Sequence, residues 1–222
     1  MTKKPVVVFG AGNIGELAHW YFSRDSGYEV KGFTVDREYA KEDRFCGLPL
    51  VPFDELGAAF PPGEVHAFVA LSYARVNRLR RERFEALKAL GYQMASYVSS
   101  RANVLNDGRI GENCFILEDN TIQPFVRIGD NVTLWSGNHI GHHSSIGDHT
   151  FMASHVVVSG GVQVGSSCFI GVNATLRDHI RIGDECVVGA GALLLEDAAP
   201  QGVYLGLATE RSRVPSHRLR GI

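Results

Sequence analysis

The sequence predicts a two-part chain: a small α/β domain over residues 1–97, a three-sided parallel β-helix over 98–206, and a tail over 207–222. Two observations predict it. Seventeen consecutive hexads begin on an aliphatic or methionine side chain, from Val98 through Ile110, Ile128, Ile146, Val164 and Ile182 to Leu194, without a break in phase. Period six matches neither an amphipathic helix nor an uninterrupted strand; it fits short strands separated by a corner every six residues. Ahead of the hexads, apolar runs alternate with helical patterns over short connections, the order of a parallel α/β unit.

The elements follow in chain order. Val6–Phe9 is an apolar run leading into the Gly-rich turn Gly10-Ala11-Gly12-Asn13-Ile14-Gly15. Glu16–Ser23 has helical periodicity, with Leu17, Trp20 and Tyr21 clustered. Tyr28–Val35 reads as a second strand ending at Asp36, and Val65–Leu71 as a third. Asn77–Leu90 is a charged amphipathic helix closed by Gly91, and Gln93–Val98 leads into the hexads. In the hexads the first position fills the interior of a flat face, and the small fifth position (Cys114, Ser144, Cys168, Ala174) fits a corner. Glycine at the second position (Gly111, Gly129, Gly141, Gly147) is expected to help the backbone turn. Three hexads close a triangle, so residues 18 apart stack at about 4.7–4.9 Å. Asn120 and Asn138 then fall in line as a buried amide ladder.

Composition narrows the function classes. The 222 residues carry a formal net charge of −2, which gives no footprint for nucleic acid. No apolar stretch is long enough to span a membrane, and Met1–Pro5 lacks a signal peptide's apolar core, so a cytoplasmic protein is expected. Four cysteines suggest no disulfide framework.

Two features carry chemistry. The G-x-G-x-x-G of Gly10, Gly12 and Gly15 follows a strand, opens a helix and precedes Asp36 by about twenty positions, so backbone N–H groups would cradle a phosphate and Asp36 would take ribose hydroxyls. A unit this short suits a nucleoside diphosphate better than a full dinucleotide. The second feature is a histidine cluster: His139, His142, His143, His149 and His155. His142 holds the third position of its hexad and His143, His149 and His155 the fourth, all read as outward-facing. Without a cysteine or carboxylate in ligand spacing no metal is expected, and a general base is the better reading.

GAGNIG with Asp36, the N-x-x-R of Asn77 and Arg80, and hexads carrying GHHSSIGD together resemble the sialic-acid O-acetyltransferase-like (NeuD/PglD-type) sugar acyltransferases, with perosamine N-acetyltransferases as close relatives. The resemblance runs from about Pro5 to Gly206. It implies a Rossmann-like half domain followed by a left-handed parallel β-helix, assembled as a homotrimer. It implies a nucleotide-linked amino sugar held by Gly10, Gly12, Asn13, Ile14, Gly15, Asp36, Asn77 and Arg80. Acetyl-CoA would lie between neighbouring helices, touching Phe151, Gly160, Val172 and Ala190. His142 would be the base. The family often has an acidic residue where this chain has His143; His143 joins His142 in the expected catalytic pair by orienting its neighbour, with Asp148 or a neighbouring subunit as other candidates for the orienting partner. A second family histidine falls at Phe151, and the family's G-x-P-A-K ending reads Gly206-Leu207-Ala208-Thr209-Glu210 here.

The expected activity is acetyl-CoA-dependent N-acetylation of a nucleotide-linked amino sugar in surface-glycan biosynthesis. The rivals are O-acetylation of a sugar hydroxyl, a non-catalytic hexapeptide binding protein and a zinc β-helix hydratase.

Overall fold

The computed structural model describes residues 3–218. Its first unit is built on β1 (Lys4–Phe9), α1 (Asn13–Arg24), β2 (Tyr28–Val35), β3 (Arg44–Phe45), β4 (Leu48–Pro52), the single turn α2 (Leu56–Ala59), β5 (His66–Val69) and α3 (Arg78–Ala89). The sheet runs β3-β4-β2-β1-β5, parallel except for β3 against β4. β1 sits at its centre with Val6, Val7 and Val8 at most 1 % exposed, as a continuous apolar run in a sheet covered on both faces requires. β3 and β4 were not expected from the sequence: Pro49 and Pro52 mask β4, since proline argues against a strand interior.

The two units are joined through the sheet. Gln93–Ala95 adds beside β5, with Ala67 N–H donating to Gln93 O (2.9 Å) and Ala95 N–H to Ala67 O (2.8 Å). The chain passes directly into the first coil strand, Tyr97–Val98. An aromatic cluster of Phe22, Phe68, Tyr97 and Phe115 fills the seam.

Above it the hexads form three stacked parallel sheets of seven, six and four strands. Each strand is two residues long and, apart from the last, Val203–Tyr204, ends on a first position; Ile110 makes a single bridge to Ile128. Register is 18 up to the final coil, as in Phe115, Thr133, Phe151, Phe169 and Val187. The stacked sheets and the repeats fit a left-handed β-helix. The final coil is tighter, pairing Val187 with Val203 and Ile182 with Ala198.

The corner chemistry differs from the expectation. Every fourth position from Asp107 to Gly191 has φ between +53° and +77°, whereas the second-position glycines do not. Asn, Asp, His and Gly are the residues that tolerate this left-handed conformation, which explains histidines at positions 143, 149, 155 and 179. The second-position glycines serve close stacking instead: a Cβ on Gly147 would lie 2.5 Å from the Gly165 carbonyl carbon in the coil above.

The amide ladder also takes another form. Asn120 and Asn138 are buried, but both donate to the Trp135 carbonyl and do not pair with each other. The side-chain ladder stands on a different corner, where Asn113 Nδ2 donates to Asn131 Oδ1 (2.8 Å) and Asn131 Nδ2 meets His149 Nδ1 (3.0 Å).

Candidate functional site

Two cavities meet at the start of α1. The first, about 480 Å³, is lined by Gly10, Gly12, Asp36, Tyr39, Lys41 and Leu71 among others. Here the Gly-rich turn does what the motif requires. Gly10 has φ +123°, and a Cβ there would lie 2.5 Å from the Ala70 carbonyl oxygen; one on Gly15 would lie 2.1 Å from the Gly10 carbonyl oxygen. Gly12 is different: nothing lies within 4 Å of its would-be Cβ, so its open side gives a ligand access to the backbone. Gly12 caps α1 with no side-chain hydrogen bond, and Asn13 is exposed in the first turn. Asp36 is held at the rim by Arg83 at 2.9 Å, and Arg83 in turn lies over the rings of Phe9 and Phe53.

The second cavity, about 330 Å³, opens between the first unit and one face of the coils. Ile14, Ser72 and Tyr73 form one wall; Trp135, Phe151, Ala153, Ser154, Phe169, Val172 and Ala190 form the others. Up this face the second positions shrink from Leu117 and Trp135 to Ala153 and Gly171, which opens the cleft above Trp135. Phe151 and Phe169 stack at 5.9 Å, with Tyr73 edge-on to Phe151 at 5.0 Å. The Trp135 indole N–H is buried without a partner, a donor free to serve a bound acceptor. Leu71 lines the first cavity and Ser72 the second, so one loop separates the two.

The structure thus brings Phe151, Val172 and Ala190 together with Ile14, and Gly10 and Gly12 together with Asp36. Trp135, Tyr73 and Ser72 were missed. Trp135 had a signal: it occupies a second position, where glycine is commonest. Tyr73 and Ser72 lie in an irregular loop and had none.

Asn77 and Arg80 fall elsewhere. They are 0 % and 1 % exposed and face the coils, lining neither the first cavity nor the second. Arg75, Val76 and Asn77 are three successive left-handed residues, a turn that leads into α3. Asn77 Nδ2 donates to Cys168 O (2.9 Å). Arg80 Nη2 donates to His149 O (2.7 Å) and Asn77 Oδ1 (2.9 Å), and Nη1 donates to the Asn131 carbonyl. Val69 N–H donates to Asn113 Oδ1 at 2.7 Å. The N-x-x-R motif is therefore a clasp between the units. Burial pushes Arg80 down to about 9, which still leaves it charged at neutral pH. His149 was expected to face outward, but α3 covers it, with Phe84 edge-on at 5.7 Å. Burial lowers its pKa, with Arg80 and Arg81 adding to the effect against Asp148.

His142 and His143 lie exposed on another corner of the prism. Their Nδ1 atoms are 3.1 Å apart. Phe125, one coil below, stacks on His143 at 4.6 Å. Gly160, one coil above, faces the His142 ring: a Cβ there would lie 2.7 Å from Cε1. Gly160 accordingly belongs to the corner of His142 and does not line the aromatic cleft. Asp148 is engaged elsewhere, its Oδ1 accepting from Asp130 N–H at 2.8 Å. Among the described residues no group of three or more His, Cys, Asp or Glu side chains is placed to hold a metal, and no helix is long and apolar enough to cross a membrane.

Comparison with known proteins bears on this geometry. Residues 107–142, 125–160 and 161–195 match the bacterial transferase hexapeptide (six repeats) family. No curated relative matches the chain in sequence. Among solved structures, the acetyltransferase domain of PglB from Neisseria gonorrhoeae superposes with a TM-score of 0.81 at 23% identity, covering 92% of this chain and 97% of that one. PerB from Caulobacter crescentus, solved with CoA and GDP-perosamine, gives 0.80 at 24% identity over 91% and 94%. WeeI from Acinetobacter baumannii gives 0.76 at 20% over 92% and 97%. Residues 107–195 thus match the pattern of bacterial transferase hexapeptide repeats, and the chain across nearly its whole length shares the fold of these solved structures.

Proposed function

We propose that this protein is a CoA-dependent sugar N-acetyltransferase that acetylates the amino group of a nucleotide-linked amino sugar. The observation that carries the reading is the junction of the two cavities: a glycine-lined nucleotide cradle and an aromatic cleft on the coils, separated by one loop. The nucleoside diphosphate occupies the first, its phosphates on the N–H groups at the start of α1 and its ribose toward Asp36. The sugar reaches past Ile14 into the cleft. There it meets the acetyl thioester of CoA, which runs along Ser154, Val172 and Ala190.

The amine attacks the thioester carbonyl carbon, the C–S bond breaks, and the amine's proton passes to His142 Nε2 and from there to the departing thiolate. Main-chain N–H groups of the coils and the Trp135 indole N–H are donors available to the developing oxyanion or to a sugar hydroxyl. His142 and the cleft stand on different corners of one prism, so His142 serves the cleft of a neighbouring copy. A closed ring of three copies satisfies this head-to-tail contact. PerB, solved with CoA and GDP-perosamine, supports the substrate class.

The test is release of CoA thiol from acetyl-CoA with a panel of GDP-, UDP- and dTDP-linked amino sugars, together with the matching hydroxyl sugars. Turnover is expected with one amino sugar and none with its hydroxyl counterpart. Thiol release with no acceptor on the panel would overturn the reading, as would preference for the hydroxyl sugar.

A further inference from the structure

We infer that His143 sets the tautomer of His142, taking with a neutral ring the part that a carboxylate would otherwise play. This rests on the proposed role of His142 as base. The two Nδ1 atoms at 3.1 Å have room for one proton between them. If His143 donated that proton, His142 would carry its own on Nε2 and have no free lone pair for a substrate. With His142 Nδ1–H donating to His143 Nδ1, the Nε2 lone pair of His142 is free to accept the amine's proton.

The surroundings hold the pair in place. Phe125 takes a left-handed conformation (φ +66°) and is 55% exposed, an unusual state for a bulky residue at a corner where other coils place Gly161 and His179. What Phe125 contacts there is the ring of His143, at 4.6 Å. On the other side Gly160 leaves the space that the His142 ring occupies. The His142 backbone N–H donates to Gln123 Oε1 at 2.8 Å.

The titratable groups around the pair are Asp107 lower on the corner, Asp178 and His179 above it, His139 on the adjoining strand and Arg127 on the next face. Asp178 and His179 face each other at 3.9 Å. Among the described residues no carboxylate oxygen lies within 4.0 Å of a ring nitrogen of the pair. The partner of His142 is therefore an imidazole and not a carboxylate, and it orients the ring without the added attraction for imidazolium that a carboxylate gives.

The experiment compares His143→Gly and His143→Asp with the wild-type protein. Both replacements suit the left-handed corner, as Gly161 and Asp107 do on the same edge. His143→Gly should lower kcat about 10–100-fold, the range for outer partners that orient a functional histidine, with both KM values unchanged. His143→Asp should restore kcat and move the acid limb of its pH profile to higher pH, because a carboxylate favours the imidazolium. Nitrogen-15 NMR should show His142 protonated at Nδ1 in the wild type and His143→Asp, and as a tautomer mixture in His143→Gly. An unchanged kcat in His143→Gly, or an acid limb that stays in place in His143→Asp, would overturn the inference while leaving the acyltransferase reading intact. An active His142→Asn variant would overturn the role of His142 as base, and this inference with it, while the acyltransferase reading would stand.

Discussion

Two corners of the same prism, built from the same repeat, have opposite fates. One carries Asn113, Asn131, His149 and Ser167; the other carries Phe125, His143, Gly161 and His179. All eight residues share the left-handed backbone of the fourth position. On the first corner α3 and β5 cover the side chains, Asn131 occupies the Nδ1 of His149, and burial lowers the pKa of that ring. On the second nothing from the first unit covers the histidine, and its Nδ1 meets another histidine. The repeat position therefore decides backbone conformation, and the packing against it decides chemistry. A histidine at a corner is a buried strut where a helix lies over it and an exposed ring where none does.

The contrast breaks most sharply at His142. His142→Asn should lower turnover about 10²–10⁴-fold, the usual worth of a positioned base, with thermal unfolding unchanged because the side chain is exposed; this is read from steady-state kinetics beside a melting curve. The covered corner should respond in the opposite sense. Arg80→Met keeps volume but removes the donors to four buried oxygens, at a cost of about 3 kcal/mol or more, measured by urea unfolding. A stability loss on that scale from His142→Asn, or none from Arg80→Met, would reverse the assignment of the corners.

Gly12→Val sharpens the nucleotide side. The φ of −116° at Gly12 suits any residue and its would-be Cβ meets nothing, so the fold should persist. The new side chain would project at the cradle and weaken nucleotide-sugar binding about tenfold or more while sparing CoA, as calorimetry with each ligand would show.

The smallest effect concerns His149. Its pKa is lowered from 6.5 in the folded protein, so the unfolded chain binds the extra proton first. The stability it contributes is full above 6.5 and is lost as pH falls through its lowered folded value. His149→Asn, which copies Asn113 and Asn131 on the same corner, should flatten the decline in stability below pH 6.5 in unfolding curves taken at several pH values.

Much of this was legible in the sequence. The hexad phase from Val98 to Leu194 placed the coil strands up to Leu193–Leu194, because a residue that fills a triangular interior has few substitutes; the last strand, Val203–Tyr204, lies outside that phase. GAGNIG placed the tight turn at the start of α1 beside the first cavity, because close approach of Gly15 to Gly10 admits no side chain. Asn77 and Arg80 could not be read correctly, since their partners are main-chain carbonyls more than fifty positions away and carbonyls leave no mark on sequence. His149 was misplaced for a related reason: its hexad position matches that of His143, and only the docking of α3 separates them. The aromatic cleft was seen in part, through Phe151, Val172 and Ala190; its other wall comes from the loop at Ser72–Tyr73, which has no periodicity to read.

The central claim, that the exposed His142 acts on the cleft of another copy, is tested most directly by subunit mixing. His142→Asn and Gly12→Val proteins would be unfolded together, refolded and assayed at a nucleotide-sugar concentration well below the weakened Kd of Gly12→Val, where each alone has about a tenth of wild-type activity or less. If the site is shared between copies, about a quarter of the sites in randomly mixed rings combine an intact His142 with an intact cradle, and activity should rise to that share of the wild type. If mixing restores nothing while the same procedure returns full activity to the wild-type protein, the histidine and the cradle serve within one chain and the shared site is wrong.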